Sequence, residues 1–367
     1  MEGTTKIGNA GKIISYAGPY FSAVVGAGFA SDQEIMIFYT RYGVSSLVAI
    51  FLATILFIWV GLRFANLGNQ LETDNLKPVM ISLCGKYIGK AFDIILLFFM
   101  FASMAIMISG GGTALEQYFG VNPYLGRIAM GLGAILIVSY GLRATLRING
   151  FLGSIIILAA LIVAIYSIAF STGTLAEARQ LIANANYSHP APNIWISVLI
   201  YVTYCVLGAN GALLISIGNN EKNPTLRRAG IIGGAVALGV ALLSINAAML
   251  LNYARVAGSE LPFVELARVM GSAIGSTYGA ILVAAIFSTA IVGLYGIVSR
   301  VSTCGTRQGV LIAVGVTVVA TLAGFVPFST LVGTVYPVKG YIGLIVFIAL
   351  AWQQIKRRER RSSVQHA

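Results

Sequence analysis

The sequence predicts an all-α polytopic membrane protein with ten transmembrane helices, built as two five-helix halves of opposite orientation. Three observations carry that prediction. Of the 367 residues, 57% are hydrophobic and only 10% charged, whereas a soluble domain carries roughly a quarter charged residues. Apolar stretches of about 20 residues recur along the chain, the length a helix needs to cross a bilayer. Those stretches are continuous rather than alternating, which argues against a β-barrel. The mean hydropathy of +0.86 agrees.

In chain order the spans read as 12–40, 43–67, 89–118, 123–142, 145–172, 193–219, 225–254, 273–301, 308–326 and 339–356. The sixth is weaker and starts near Trp195, and Pro337 and Gly340 blur the start of the tenth. Two stretches between spans, 75–88 (NLKPVMISLCGKYI) and 258–270 (GSELPFVELARVM), read as surface helices. The opening MEGTTKIGNAGK leads into a full span with no small-residue cleavage site, so no cleaved signal peptide is expected.

Basic residues set the orientation. With the N-terminus inside, 18 of the 24 Lys and Arg fall in inner segments, and Arg41, Arg127, Arg179, Arg255, Arg268 and Lys339 fall outside. The positive-inside rule then places both termini in the cytoplasm of a cell with the chain in its inner (plasma) membrane. The net charge of +12 is spent at span ends, so nucleic acid is not an expected partner and the lipid bilayer is. The organisation reads as a cytoplasmic N-terminus (1–11), a first repeat (12–172), an extracellular loop (173–192), a second, inverted repeat (193–356) and a basic cytoplasmic tail (357–367). Five spans is an odd number, so the second half enters the membrane inverted, the layout of inverted-repeat transporters.

Matched interruptions strengthen that reading. Gly26, Ala27 and Gly28 interrupt the first span of the first half, and Gly208, Ala209, Asn210 and Gly211 the first span of the second. Unpaired backbone groups cost several kcal/mol each in hydrocarbon, so an unwound stretch survives only where it lines a polar cavity. Half-helix N-termini there suit an anion and C-terminal carbonyls a cation. Small residues also serve plain helix packing, as in the run GIIGGAVALG over 230–239. Their matched positions favour a pair of broken helices around a binding site.

The motif GAGFASDQE at 26–34 resembles the signature of the YkvI-like amino acid permeases, written GAGFASGQE, with Asp32 in place of its third glycine. That family is grouped with the amino acid–polyamine–organocation (APC) superfamily, whose fold is the LeuT-type five-plus-five inverted repeat with broken helices 1 and 6. The resemblance implies a substrate site between the unwound parts of those helices, with the third and eighth beside them. It implicates Gly26, Ala27, Gly28 and Phe29, and Gly208, Ala209, Asn210 and Gly211.

Other candidates come from position. Asp32 and Glu34 are the acids deepest in a span, and a buried acid is a functional candidate unless an outer vestibule simply solvates it. Phe101 and Ser103 in FFMFASMAIMISGGG (98–112) are placed to reach the cavity; Tyr201, Tyr204 and Trp195 line it from span six or form an interfacial belt. Ser288 and Thr289 are adjacent hydroxyls in span eight. They either bond their own helix carbonyls or, as in sodium-coupled LeuT-fold proteins, join carbonyls near Ala23 and Gly26 around a sodium ion, a hard cation that oxygen ligands suit. Span five contains no lysine to replace that ion.

Cys84, Cys205 and Cys304, with His189 and His366, lack metal-ligand spacing, and no cofactor beyond sodium is expected. The spans hold no nucleophile–histidine–acid set, no HExxH and no phosphate loop, so an enzyme is not expected. The reading is a secondary transporter of an amino acid or related small amine working by alternating access, with sodium-coupled symport as its finer form. A channel and a ligand sensor on the same fold are the alternatives.

Overall fold

The computed structural model describes residues 8–24, 29, 31–139, 142–185, 187–302 and 306–365. Among these there are helices and no strands. In order, α1 is Asn9–Val24, α2 Gln33–Phe38, α3 Ser45–Leu71, α4 Leu76–Cys84, α5 Lys86–Phe119, α6 Pro123–Ser139, α7 Leu142–Ala169 and α8 Leu175–Asn184. There follow α9 Ile194–Val206, α10 Ala209–Asn220, α11 Pro224–Leu251, α12 Tyr253–Val256, α13 Pro262–Val269, α14 Ser272–Val301, α15 Arg307–Ala323 and α16 Phe328–Gln365.

The two halves share one element order. An interrupted span (α1 with α2; α9 with α10) is followed by a helix of 27 or 28 residues (α3; α11) and then by short helical segments (α4; α12 with α13). After these come a helix of 34 or 30 residues (α5; α14), a 17-residue helix (α6; α15) and a final long helix (α7; α16). Among the described residues, α3, α5, α11, α14 and α16 are individually long and apolar enough to cross a bilayer, and α9 with α10, bent by 63° at the break, passes the same test as a pair.

Outward faces are apolar at helical spacing: Val48, Phe51 and Ile55 on α3, Leu125, Leu132 and Leu136 on α6, and Ile345, Ile348 and Trp352 on α16 are exposed. In water such stripes would mark a large uncovered patch; in a bilayer they face lipid. Inside, the helices sort into two packed bodies. The spans α1, α3, α9–α10 and α11 pack on one another, and α5, α6, α14 and α15 form a second body around Met104, Ile108, Val138, Ile291, Leu294 and Val298. Helices α3 and α10 cross backbone to backbone. A Cβ on Gly68 would lie 2.1 Å from the Ile215 carbonyl oxygen, and one on Gly218 would lie 1.8 Å from that of Ala65. The glycines of 230–239 are packing residues too, with Gly230 and Gly234 against Tyr16, Ala17 and Tyr20 of α1.

Three readings of the sequence change. The stretch around 258–270 is no surface helix: Pro262, Phe263, Val264, Leu266 and Ala267 are buried, because α13 packs on α14 and α7. The tenth helix begins at Phe328 rather than near 339 and runs through Pro337. Glu260 holds its start, accepting from the Ser329 amide (2.7 Å) and hydroxyl (2.6 Å), which satisfies orphan donors of the first turn. Lys339, expected at the outer end, therefore sits inside α16. Helix also continues to Gln365, through most of the stretch expected as a basic tail.

Candidate functional site

Helix α9 stops because its last residues leave the helical region: Leu207 is extended and Gly208 takes φ 120°, ψ −133°. That backbone is close to forbidden for a residue with a Cβ. Asn210 repairs part of the damage by donating from Nδ2 to the freed Cys205 carbonyl at 2.6 Å. Gly211 turns back under the break, where a Cβ would lie 2.6 Å from the Val206 carbonyl oxygen. On the other interrupted span, α1 ends at Val24 and α2 begins at Gln33. Gly26, Ala27 and Gly28 lie outside the described residues, as do the side chains of Ala23 and Ala209.

A cavity of about 800 Å³ lies between the two bodies. Leu207, Gly208 and Ala212 line it from the first body; Leu96, Phe99, Met100, Ser103, Thr289 and Val292 line it from the second. Lys77, Asp93 and Arg300 stand at one end, where Asp93 accepts from Lys77 at 3.3 Å and from Arg300 at 3.2 Å. Away from these, an aromatic cluster fills the space beside the break. Tyr204 is stacked between Phe38 (5.6 Å between ring centroids) and Tyr336 (4.8 Å), and Tyr201 meets Phe38, Tyr39, Phe57 and Tyr204 edge-on. Tyr201 and Tyr204 are thus interior residues and not an interfacial belt, whereas Trp195 is 48% exposed.

Glu34 enters this cluster from α2 and accepts a hydrogen bond from the Tyr204 hydroxyl. Two anchors hold its segment: Ser197 donates to the Phe38 carbonyl at 2.7 Å, and Thr40 donates to Asn246 Oδ1 of α11 at 2.8 Å. Asp32 precedes α2 in the left-handed region (φ 60°), 0% exposed, and neither of its carboxylate oxygens has a hydrogen-bond partner among the described residues. Both acids are buried in this conformation, Asp32 at 0% and Glu34 at 5% exposure, so neither faces an open vestibule here.

The other candidates divide. Gly208, Ser103 and Thr289 line the cavity, and Tyr204, Asn210 and Phe29 are buried near the breaks. Phe101 does not reach the cavity; it packs on the second body's core. Ser288 and Thr289 donate to the Ala285 carbonyl at 2.9 and 3.1 Å. A hydroxyl oxygen is the kind of ligand that suits a hard cation. What the sequence reading missed is Lys339. Its ammonium lies 5.5 Å over the Tyr204 ring, lines the cavity, and would be 3.8 Å from a Cβ on Gly208. Gly340 makes this approach, since a Cβ there would press on the Ile200 carbonyl at 2.5 Å, and Thr203 donates across to the Gly340 carbonyl at 2.8 Å. The signal was present in the sequence as a lysine beside a glycine in an otherwise apolar run.

No family model matches the chain. It is similar to YkvI, an uncharacterized membrane protein of Bacillus subtilis strain 168, at 23% identity over 342 residues, covering 92% of this chain and 95% of YkvI. YyaD of the same strain is similar at 24% identity, covering 89% of this chain and 93% of YyaD. Among solved structures, MhsT in complex with L-phenylalanine superposes with TM-score 0.62 at 16% identity, covering 91% of this chain and 87% of MhsT. A substrate-bound, Na+-coupled sialic acid symporter follows at TM-score 0.56, 15% identity, covering 91% and 77%. The fold is of the LeuT type. A manganese transporter of Eremococcus coleocola shares it at TM-score 0.58 and 12% identity, covering 95% of this chain and 80% of that one. The break at Gly208 and the non-helical Ser31 and Asp32 before α2 each fall in the first span of their half.

Proposed function

We propose that the chain is a secondary active transporter that carries an amino acid or related small amine by alternating access, one helical body rocking on the other. The observation that supports this most is the cavity between the two bodies at the Gly208 break, open toward Lys77, Asp93 and Arg300 and backed by packed aromatic rings. A channel needs a continuous path, and the Tyr204 stack stands across it; a carrier needs a site reached from one side at a time. The fold neighbours include carriers solved with an amino acid and with a sugar acid.

The basic residues Lys77, Lys86, Lys90, Arg300 and Arg307 support a cytoplasmic mouth for the cavity, with both termini on that side of a plasma membrane. The halves are 12–172 and 193–356. Sodium is the coupling ion we favour, held by Ser288 and Thr289 with carbonyls of the first span near Ala23 and Gly26. The test is uptake of radiolabelled amino acids into proteoliposomes under an imposed sodium gradient. Saturable, gradient-stimulated accumulation is expected. Currents beyond any turnover-limited rate would make the chain a channel, and ligand binding without flux would make it a sensor.

A further inference from the structure

We propose that Lys339 binds the carboxylate of the transported molecule, so that the site takes an apolar amino acid and rejects the amine that lacks its carboxylate. This rests on the transporter reading above and names the substrate class for the same cavity.

The case starts from an ammonium whose donors are unused. Lys77, Asp93 and Arg300 at the mouth neutralise one another through two ion pairs. Among the described residues lining the cavity, Lys339 is the charge left over: its ammonium makes no ion pair and no hydrogen bond, and meets only the face of the Tyr204 ring. An ammonium has three donors and no acceptor, and a charge held at membrane depth is paired, wetted or functional. Glu34 lies close enough to feel the lysine's charge, but its carboxylate accepts from the Tyr204 hydroxyl and makes neither an ion pair nor a hydrogen bond with Lys339, so the donors of the ammonium stay open to a ligand.

What the ammonium faces decides the ligand. It stands beside Gly208, where the positive φ starts the twelve-residue helix α10. The first amides of that helix and its dipole carry partial positive charge. Lysine and helix start thus present like sign to one spot in the cavity, and an anion binds there, not a cation. The walls beyond are Leu96, Phe99, Met100, Leu207 and Val292, so the rest of the ligand is apolar. Aromatic residues fix the lysine in place: Tyr204, stacked on Tyr336, supports the ammonium from below as a cation–π partner.

The experiment is thermal unfolding of the purified full-length chain in detergent, titrated with L-leucine and L-phenylalanine and with 3-methylbutylamine and phenethylamine, the same skeletons without the carboxylate. A bound ligand raises the melting temperature by mass action. Wild type is expected to bind at least one of the two amino acids at least tenfold more tightly than its amine. Lys339→Met keeps an unbranched apolar side chain and is expected to erase that preference by weakening the amino acid alone. Lys339→Arg keeps the charge and is expected to retain the preference, which guards against a variant that merely misfolds. Equal affinity for acid and amine in wild type overturns the proposal, as does unchanged amino acid affinity in Lys339→Met; in both cases uptake into proteoliposomes leaves the transporter reading standing. No binding and no uptake of any of the four compounds overturns both.

Discussion

At the scale of the residue, Asp32 is where local rules are most clearly broken. A left-handed backbone costs a residue with a Cβ about 1–2 kcal/mol, and a buried carboxylate without a hydrogen-bond partner costs more. Asp32 has a left-handed backbone and, among the described residues, no hydrogen-bond partner for its carboxylate, so it carries both penalties. The glycine of the GAGFASGQE signature would remove both, which gives that glycine a physical reason: the chain needs φ near +60° just before α2. Asp32→Gly is therefore expected to stabilise the protein by about 1–3 kcal/mol, and Asp32→Ala by less, because alanine keeps the backbone penalty. Melting curves of the two variants check this, and equal curves would mean that the backbone at 32 is not strained. Glu34→Gln should behave differently: it keeps the acceptor for Tyr204 and removes the charge beside Lys339. Uptake is expected to fall tenfold or more with little change in melting temperature.

Helices meet through glycines of two kinds, and the sequence alone does not separate them. Gly218 packs backbone on backbone, so Gly218→Val is expected to cost about 3 kcal/mol or more, as α3 and α10 can relax only by separating. Gly315 on α15 faces open space, and Gly315→Ala is expected to gain about 0.5–1 kcal/mol through helix propensity. Opposite shifts in melting temperature check the pair. The loop before α9 adds a pH term. Burial and the nearby Arg41 guanidinium push the His189 imidazole below its ordinary value of 6.5, with its ring against Tyr42. The unfolded chain then takes up the proton first on acidification, so this contribution is present above pH 6.5 and is lost as pH falls through the lower folded value. Melting temperature should drop slightly more below pH 6.5 in wild type than in His189→Gln. Spans and the Gly208 break were legible in the sequence because hydropathy and a glycine cluster report them directly. The start of the tenth helix was not. Pro337 and Gly340 read as breakers in water, but inside a bundle the helix runs on through Pro337 and Gly340 serves close packing on Ile200. That one misplacement moved Lys339 from the site to the surface. Tyr201 and Tyr204 were ambiguous for another reason: composition cannot tell an interior aromatic stack from a belt facing headgroups.

For the whole molecule, the decisive property is which side reaches the cavity and whether that changes. In the present conformation Ser103 and Thr289 share one cavity with Lys77, Asp93 and Arg300, and the Phe38–Tyr204–Tyr336 stack is packed beside the break. Alternating access requires a second state in which the two bodies part at the stack and meet at the mouth. The ion pairs at the mouth are half-exposed and each is worth at most about 1 kcal/mol, so they bias the equilibrium without locking it. Sodium at Ser288 and Thr289 would shift the balance only by binding one state better than the other. Ser103→Cys in a background with Cys84→Ser and Cys304→Ser reports this, since the remaining Cys205 is buried. A membrane-impermeant thiol reagent should label that cysteine from the cytoplasmic face of oriented vesicles in choline medium. Sodium should slow this labelling and bring on labelling from the opposite face. Ser288→Ala with Thr289→Val should abolish the sodium effect while leaving the choline rate unchanged. Labelling indifferent to sodium would end the sodium proposal. Labelling only from the opposite face in both media would invert the orientation, and the count of basic residues with it. A cysteine reached from both faces at once would replace the carrier by a pore.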